Sequence, residues 1–318
     1  MMRLLLFDLA LLGMIPASYS QKIERYYDFQ WHDTSAANAR FYGVLEHTDS
    51  GWTRKDYFLH SLFLQMDGLY QDSACKVPAG RFHYYYANRG LEMMGAYSHG
   101  KKQGLWLTYY SNGMMADSTV YSDGQPIGVR ESWYRNGYAK DSAVYASDGS
   151  GLSVSWFDNG NPAAAGRFAP GYKPFGKWQY FYRSGKLSSI ELYDRDGKLQ
   201  EKEYYDEQGG LLPDTTTRNR KAEFPGGQMA WSRYLSKALY FPEQYQITNG
   251  DQAAVVVNAT VDEQGNIVDA EVAVPFYPAF DKIALEAIRK SPHWIPAFEH
   301  NRPVRSEIRQ PVIFSQPD

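Results

Sequence analysis

Gly80, Gly104, Gly128, Gly151 and Gly176 stand 24, 24, 23 and 25 residues apart, and the residues around them repeat with them. A fixed period of this size marks a repeat architecture, in which each unit is one supersecondary motif that buries its apolar face against its neighbours. Five and six residues after each glycine comes an aromatic pair: Tyr85-Tyr86, Tyr109-Tyr110, Trp133-Tyr134, Trp156-Phe157 and Phe181-Tyr182. Asn112-Gly113, Asn136-Gly137 and Asn159-Gly160 follow three of these pairs, with Ser184-Gly185 and Asn88-Arg89-Gly90 as variants. A further aromatic closes each unit at Tyr97, Tyr121, Tyr145, Phe168 and Tyr193.

Asn-Gly supplies the positive φ that two-residue hairpin turns need, so each unit reads as strand, tight turn, strand, turn. Asp123-Gly124, Asp148-Gly149 and Asp196-Gly197 close three units in the same manner. The expectation is an all-β repeat, a continuous meander of hairpins over residues 80–210. Successive strand residues face opposite ways, so each aromatic pair places one ring on each face. One ring is expected to pack inside and the other to stack on its equivalent in the next hairpin. An aromatic groove for a glycan is the functional alternative. Five units of two strands make a stiff rod on the order of 50 Å long.

Glycine, aromatic pair and Asn-Gly at this period resemble the MORN repeat in its bacterial variant form, most clearly from Tyr121 through Gly128 to Gly137. That resemblance implies architecture and little chemistry.

Composition narrows the function. A formal charge of -3 leaves no electrostatic footprint for nucleic acid. Met1 to Ser20 reads as a secretory signal peptide: Arg3, an apolar run from Leu4 to Ile15, and Ser18-Tyr19-Ser20 before Gln21. An exported chain with the single Cys75 forms no internal disulfide and depends on packing. Residues 21–79 look like a degenerate β lead-in that caps the array, as terminal repeats do. Residues 211–223, polar with Pro213 and three consecutive threonines, read as an interdomain linker.

Beyond Ala222 the period changes. Trp231, Tyr234, Leu235 and Ala238 follow helical spacing, Val255 to Val261 and Val268 to Val274 alternate around a turn at Asp262 to Asn266, and Phe280, Ile283, Ala284, Ala287 and Ile288 form a second helical stripe. Val304, Ile308, Val312 and Phe314 share one parity of a last strand. The order αββαβ, with one apolar face per strand, predicts an α+β domain: a three-stranded antiparallel sheet carrying both helices on one side.

Phe224-Pro-Gly-Gly227, Tyr240-Phe-Pro242, Asp262-Glu-Gln-Gly265-Asn266, Trp294-Ile-Pro-Ala297, Arg302-Pro-Val304 and Pro311-Val-Ile-Phe314 are similar to the C-terminal domain of TonB-type energy transducers over residues 224–315. The resemblance implies a periplasmic binding domain that captures an extended segment of an outer-membrane receptor by strand addition to a sheet edge. The edge expected to bind is Val304, Arg305, Ser306, Glu307, Ile308, Arg309 and Gln310, followed by Pro311, which cannot donate to a ladder. A full transducer also carries an uncleaved membrane helix and a proline-rich stalk; with the repeat array in the stalk's place, the expectation is an adaptor displaying its binding domain at the end of a rod. Association between copies through the array's edges is a further possibility of such a sheet.

The seven histidines are dispersed, with no His-Glu-x-x-His pair, phosphate loop or nucleophile elbow. No catalytic residue, metal site or cofactor is expected. Two other readings stay open: a structural or interaction protein of the envelope whose TonB-like domain serves another partner, and a glycan-binding protein acting through the aromatic faces.

Overall fold

A computed structural model describes residues 22–216, 218–247 and 253–316; the leader read at residues 1–20 lies outside them. The meander comprises β1 (Lys22–Tyr27), β2 (Phe41–Thr48), β3 (Gly51–Phe58), β4 (Phe63–Tyr70), β5 (Pro78–Tyr85), β6 (Leu91–Ser98), β7 (Lys101–Tyr109) and β8 (Met115–Ser122). It continues through β9 (Gln125–Trp133), β10 (Ala139–Tyr145), β11 (Gly151–Trp156), β12 (Pro162–Ala169), β13 (Lys173–Phe181), β14 (Leu187–Tyr193), β15 (Leu199–Tyr205) and β16 (Leu211–Leu212). All sixteen strands join one sheet in sequence order. Of the lead-in expected at residues 21–79, the described residues contribute β1 to β4 and the start of β5 to that same sheet.

The repeat glycines and aromatics have separate jobs. Trp106 lies over Gly95 and Trp178 over Gly166, each ring within about 2.2 Å of where a Cβ would sit, so only glycine fits beneath them. These rings alternate edge-to-face with the closing aromatic of each unit: Phe82 with Tyr97 at 4.9 Å, Tyr97 with Trp106 at 4.8 Å, and Phe168 with Trp178 at 5.1 Å. A ring ladder therefore exists, but it runs through these residues and not, as expected, through equivalent rings of the aromatic pairs.

The aromatic pair makes a different ladder. The Tyr86 hydroxyl donates to the Tyr109 carbonyl at 2.8 Å, Tyr110 to Trp133 at 2.7 Å, Tyr134 to Trp156 at 2.8 Å, and Tyr182 to Tyr205 at 2.6 Å. The second ring of one unit is thus tied to the first residue of the pair in the next, or, for Tyr182, to Tyr205 at the equivalent place beyond the last pair.

The Asn-Gly turns hold three loop residues where two were expected. Gly113 N–H donates to the Tyr110 carbonyl and Tyr110 N–H to the Met114 carbonyl, both at 2.8 Å, and only Gly113 has positive φ, at 84°. This is a type I turn followed by a left-handed bulge residue. Asparagine serves here through its side chain: Asn112 Oδ1 accepts from Met114 N–H at 3.1 Å and Nδ2 reaches the Arg135 carbonyl of the next unit. Asp123-Gly124 keeps the two-residue form, with φ of 51° and 81°.

The C-terminal region holds α1 (Gly227–Ala238), β17 (Ala253–Val261), β18 (Ile267–Val274), α2 (Pro278–Arg289), β19 (Ala297–Glu299), β20 (Arg302–Val304) and β21 (Ser306–Phe314). Its three-stranded sheet has the order β18-β17-β21, both pairings antiparallel. Val255, Val257, Ala259 and Val261 pack with Val312 and Phe314 against Trp231 of α1 and Phe280, Ala284 and Ile288 of α2. Phe280 is fully buried, which contributes about 2–3 kcal/mol by area. Pro278 opens α2, where its missing N–H costs nothing. The expected final strand is split: Val304 belongs to the short β19–β20 ribbon, Arg305 bridges, and the sheet strand begins at Ser306.

The linker expected at 211–223 is structured at both ends. Leu211 and Leu212 pair with Tyr205 and Tyr204, while Arg220 and Glu223 exchange backbone hydrogen bonds with Phe298 and Ile295. The domain does not stand at the end of a rod. Its sheet's second face lies against the meander, where Val256 and Val274 pack with Tyr27, Phe41 and Phe58.

Candidate partner-binding edge

β21 pairs with β17 in unbroken register over nine residues, from Ser306 opposite Val261 to Phe314 opposite Ala253. Its other edge has no strand partner among the described residues. Ile308, Val312 and Phe314 point into the helical core, and Glu307, Arg309, Pro311 and Ile313 are exposed on the face turned towards the meander. The opposite edge strand, β18, is less open. Two register shifts interrupt its pairing with β17, Arg289 donates to the Ala270 carbonyl at 2.9 Å, and Asp269 and Glu271 are engaged by the meander.

The structure brings five of the seven expected site residues onto this edge. Ser306, Glu307, Ile308, Arg309 and Gln310 lie on β21, opposite Val261, Thr260, Ala259, Asn258 and Val257. Arg309 Nη1 donates across the strands to Asn258 Oδ1 at 3.2 Å. Val304 instead faces Ala297 in the β19–β20 ribbon. Arg305 turns to the meander: its guanidinium donates to Asp158 at 2.6 Å, lies 3.7 Å from Glu263 and sits 5.2 Å over the Tyr134 ring.

Asp158 also pairs with Arg183, whose guanidinium approaches Glu263 at 3.6 Å. Two cations and two carboxylates thus form a neutral, largely buried network between meander and domain, which is what makes burying each of them tolerable. Nearer the cap, Arg135 binds Glu271 at 2.8 Å and Asp269 at 3.4 Å, with the Ser111 hydroxyl also donating to Glu271.

The residues that position the edge most firmly escaped the sequence reading. The β19–β20 ribbon turns at His300 and Asn301, with φ of 50° and 60°, and enters the last repeats. The His300 ring stacks on Tyr180 at 3.6 Å and 5°, and its Nδ1 lies 2.9 Å from Glu191. Burial alone pushes the Glu191 carboxyl up, but hydrogen bonds from His300 and Tyr193 outweigh it and hold the group below its usual range. Asn301 Nδ2 donates to the Tyr182 hydroxyl at 3.0 Å and the Tyr205 carbonyl at 2.9 Å. Arg302 donates to the Phe181 carbonyl and lies over the Phe157 and Tyr180 rings; burial pushes its pKa down to about 10. One signal was legible: among the second residues of the aromatic pairs, Phe157 alone is not tyrosine.

Two open cavities separate the sheet from the tyrosine ladder. One of about 360 Å³ is lined by Tyr86, Tyr110, Arg135, Glu307 and Arg309, and one of about 390 Å³ by Tyr134, Lys140, Arg305, Ser306 and Glu307; both touch Thr260 and Asp269. No group of three or more metal-ligating side chains occurs among the described residues, and no helix there is long and apolar enough to cross a membrane.

No curated protein matches the chain in sequence. Two family models match parts of it, and they fall on the two structural regions just described. Residues 176–194 and 189–207 each match a MORN repeat variant, and residues 237–315, which include the whole open edge, match the Gram-negative bacterial TonB protein C-terminal.

Proposed function

We propose that this chain is a non-enzymatic adaptor of the Gram-negative periplasm or cell envelope, resembling TonB in its C-terminal domain and engaging an outer-membrane receptor or another envelope protein by strand addition at β21. One observation carries the reading: β21 is paired without interruption on one side and, among the described residues, unpaired on the other, with Glu307, Arg309, Pro311 and Ile313 exposed. An extended segment gains main-chain hydrogen bonds along such an edge, and alternate side chains set specificity. Pro311 offers no donor and so limits how far the added ladder runs.

The test is backbone NMR of the full chain titrated with extended peptides from the periplasmic segments of outer-membrane receptors. Shifts concentrated on Ser306 to Gln310 are expected. Binding that shifts only the meander, or no binding at millimolar peptide, overturns the assignment of the edge.

A further inference from the structure

The meander is more than a support for this edge; its ladder of tyrosines forms the second wall of the same site. A strand added beside β21 shares its pleat, so every other side chain of the newcomer points the way Glu307 and Arg309 point, towards the cavities over Tyr86, Tyr110 and Tyr134. The remaining side chains fall on the side of Ile308, whose neighbours are apolar core.

Three charged groups in this slot have no ion-pair partner among the described residues. Lys140 lines the cavity beside Ser306, Glu307 lines both cavities, and Arg309 bonds only the neutral Asn258 amide. Of the carboxylates nearby, Arg135 holds Asp269 and Glu271 and Arg305 holds Asp158. Glu92 shares a cavity wall with Arg309, and its carboxyl is pushed up by burial and by Glu271 against the pull of Arg309, with no ion pair between the two among the described residues. Along the slot, from Lys140 on the meander to Glu307 and Arg309 on β21, the unmatched charges therefore read positive, negative, positive.

Resting on the edge-binding reading above, we propose that the captured partner is an extended segment whose side chains alternate as carboxylate, apolar, cation, apolar, carboxylate. Its two carboxylates meet Lys140 and Arg309, its cation meets Glu307, and its apolar residues lie on the Ile308 side. Opposite charges facing one another across strands stabilise a pair and like charges disfavour it. The pattern reads the same in both directions, so it holds for parallel or antiparallel addition.

The test is calorimetric titration of the full chain with three nine-residue peptides that share their apolar positions and carry Glu-Lys-Glu, Lys-Glu-Lys or Gln-Gln-Gln at the three slot-facing positions. The Glu-Lys-Glu peptide should bind on the order of tenfold more tightly than Lys-Glu-Lys, two cross-strand pairs with β21 and one pair with Lys140 of the meander being exchanged. The order should reverse in the Glu307→Lys, Arg309→Glu double variant, and Lys140→Glu alone should weaken the Glu-Lys-Glu peptide by roughly threefold. Equal affinity for all three peptides overturns the charge pattern while leaving strand addition standing. Binding that responds to β21 but not to Lys140→Glu removes the meander from the site. If no peptide binds, the edge reading falls and the pattern with it.

Discussion

The Arg302 guanidinium lies 5.1 Å from the centroid of the Phe157 ring and donates to the Phe181 carbonyl, the acceptor that a hydroxyl on Phe157 would occupy if this unit followed the others. In the neighbouring units Tyr134 and Tyr182 fill the equivalent acceptors themselves. Among the described repeats, this gap in the hydroxyl ladder is where the β19–β20 ribbon enters.

That substitution predicts a compensating pair. Arg302→Ala should cost about 1–3 kcal/mol, because it removes a buried cation from two rings and leaves the Phe181 carbonyl unpaired. Phe157→Tyr, introduced into the Arg302→Ala chain, should restore about 1 kcal/mol by supplying the missing hydroxyl. In the native background the same change should destabilise by crowding Arg302. Urea denaturation of the four chains in a double-mutant cycle measures the coupling.

Asp158 joins Arg183 to Arg305 across the interface, and its side chain is 16% exposed. Asp158→Ala should destabilise the chain by about 2 kcal/mol, leaving two cations to share Glu263. Asp123→Asn breaks only the exposed pair with Lys101 and should change stability by less than about 0.5 kcal/mol. Thermal unfolding of both variants at matched ionic strength gives the comparison.

Burial pushes the Asp281 carboxyl up to about 6, against the pull of the Phe276 N–H, which donates to it at 2.8 Å, and of Arg40. The folded chain therefore holds this proton more tightly than the unfolded chain does. The contribution to stability is complete below about pH 4 and is lost as pH rises to about 6, amounting to roughly 3 kcal/mol. Asp281→Asn keeps an acceptor for Phe276 and should abolish this part of the pH dependence. Denaturation midpoints at pH 4, 5, 6 and 7 decide it.

Gly166 lies under the Trp178 ring, whose nearest atom is 2.0 Å from a built Cβ. Gly166→Ala should cost more than about 2 kcal/mol by displacing the ring or the strand. Gly160→Ala meets no neighbour, and its cost should be limited to the strain of a positive φ, about 1 kcal/mol. Tryptophan fluorescence should shift in the first variant and not in the second.

The amino-acid sequence by itself determined the local elements. The glycine period, the aromatic pairs and the turn residues specify strand, turn and strand without reference to distant parts of the chain, and the alternation of Val255 to Val261 with the stripe at Phe280 to Ile288 specifies a sheet with helices on one side. Ser306 to Gln310 were legible as strand because they lie within the last alternating run, and as a candidate edge because Pro311 follows them. Val304 and Arg305 were not separable from that run, since only the turn at His300-Asn301 and the pull of Asp158 on Arg305 break it. Tertiary structure alone decided that the domain lies along the meander. The contacts responsible, such as Arg305 with Asp158 and Arg135 with Glu271, join residues more than 130 positions apart through single polar side chains. A lone charge carries no periodicity, so its partner becomes identifiable only when folding brings the two together.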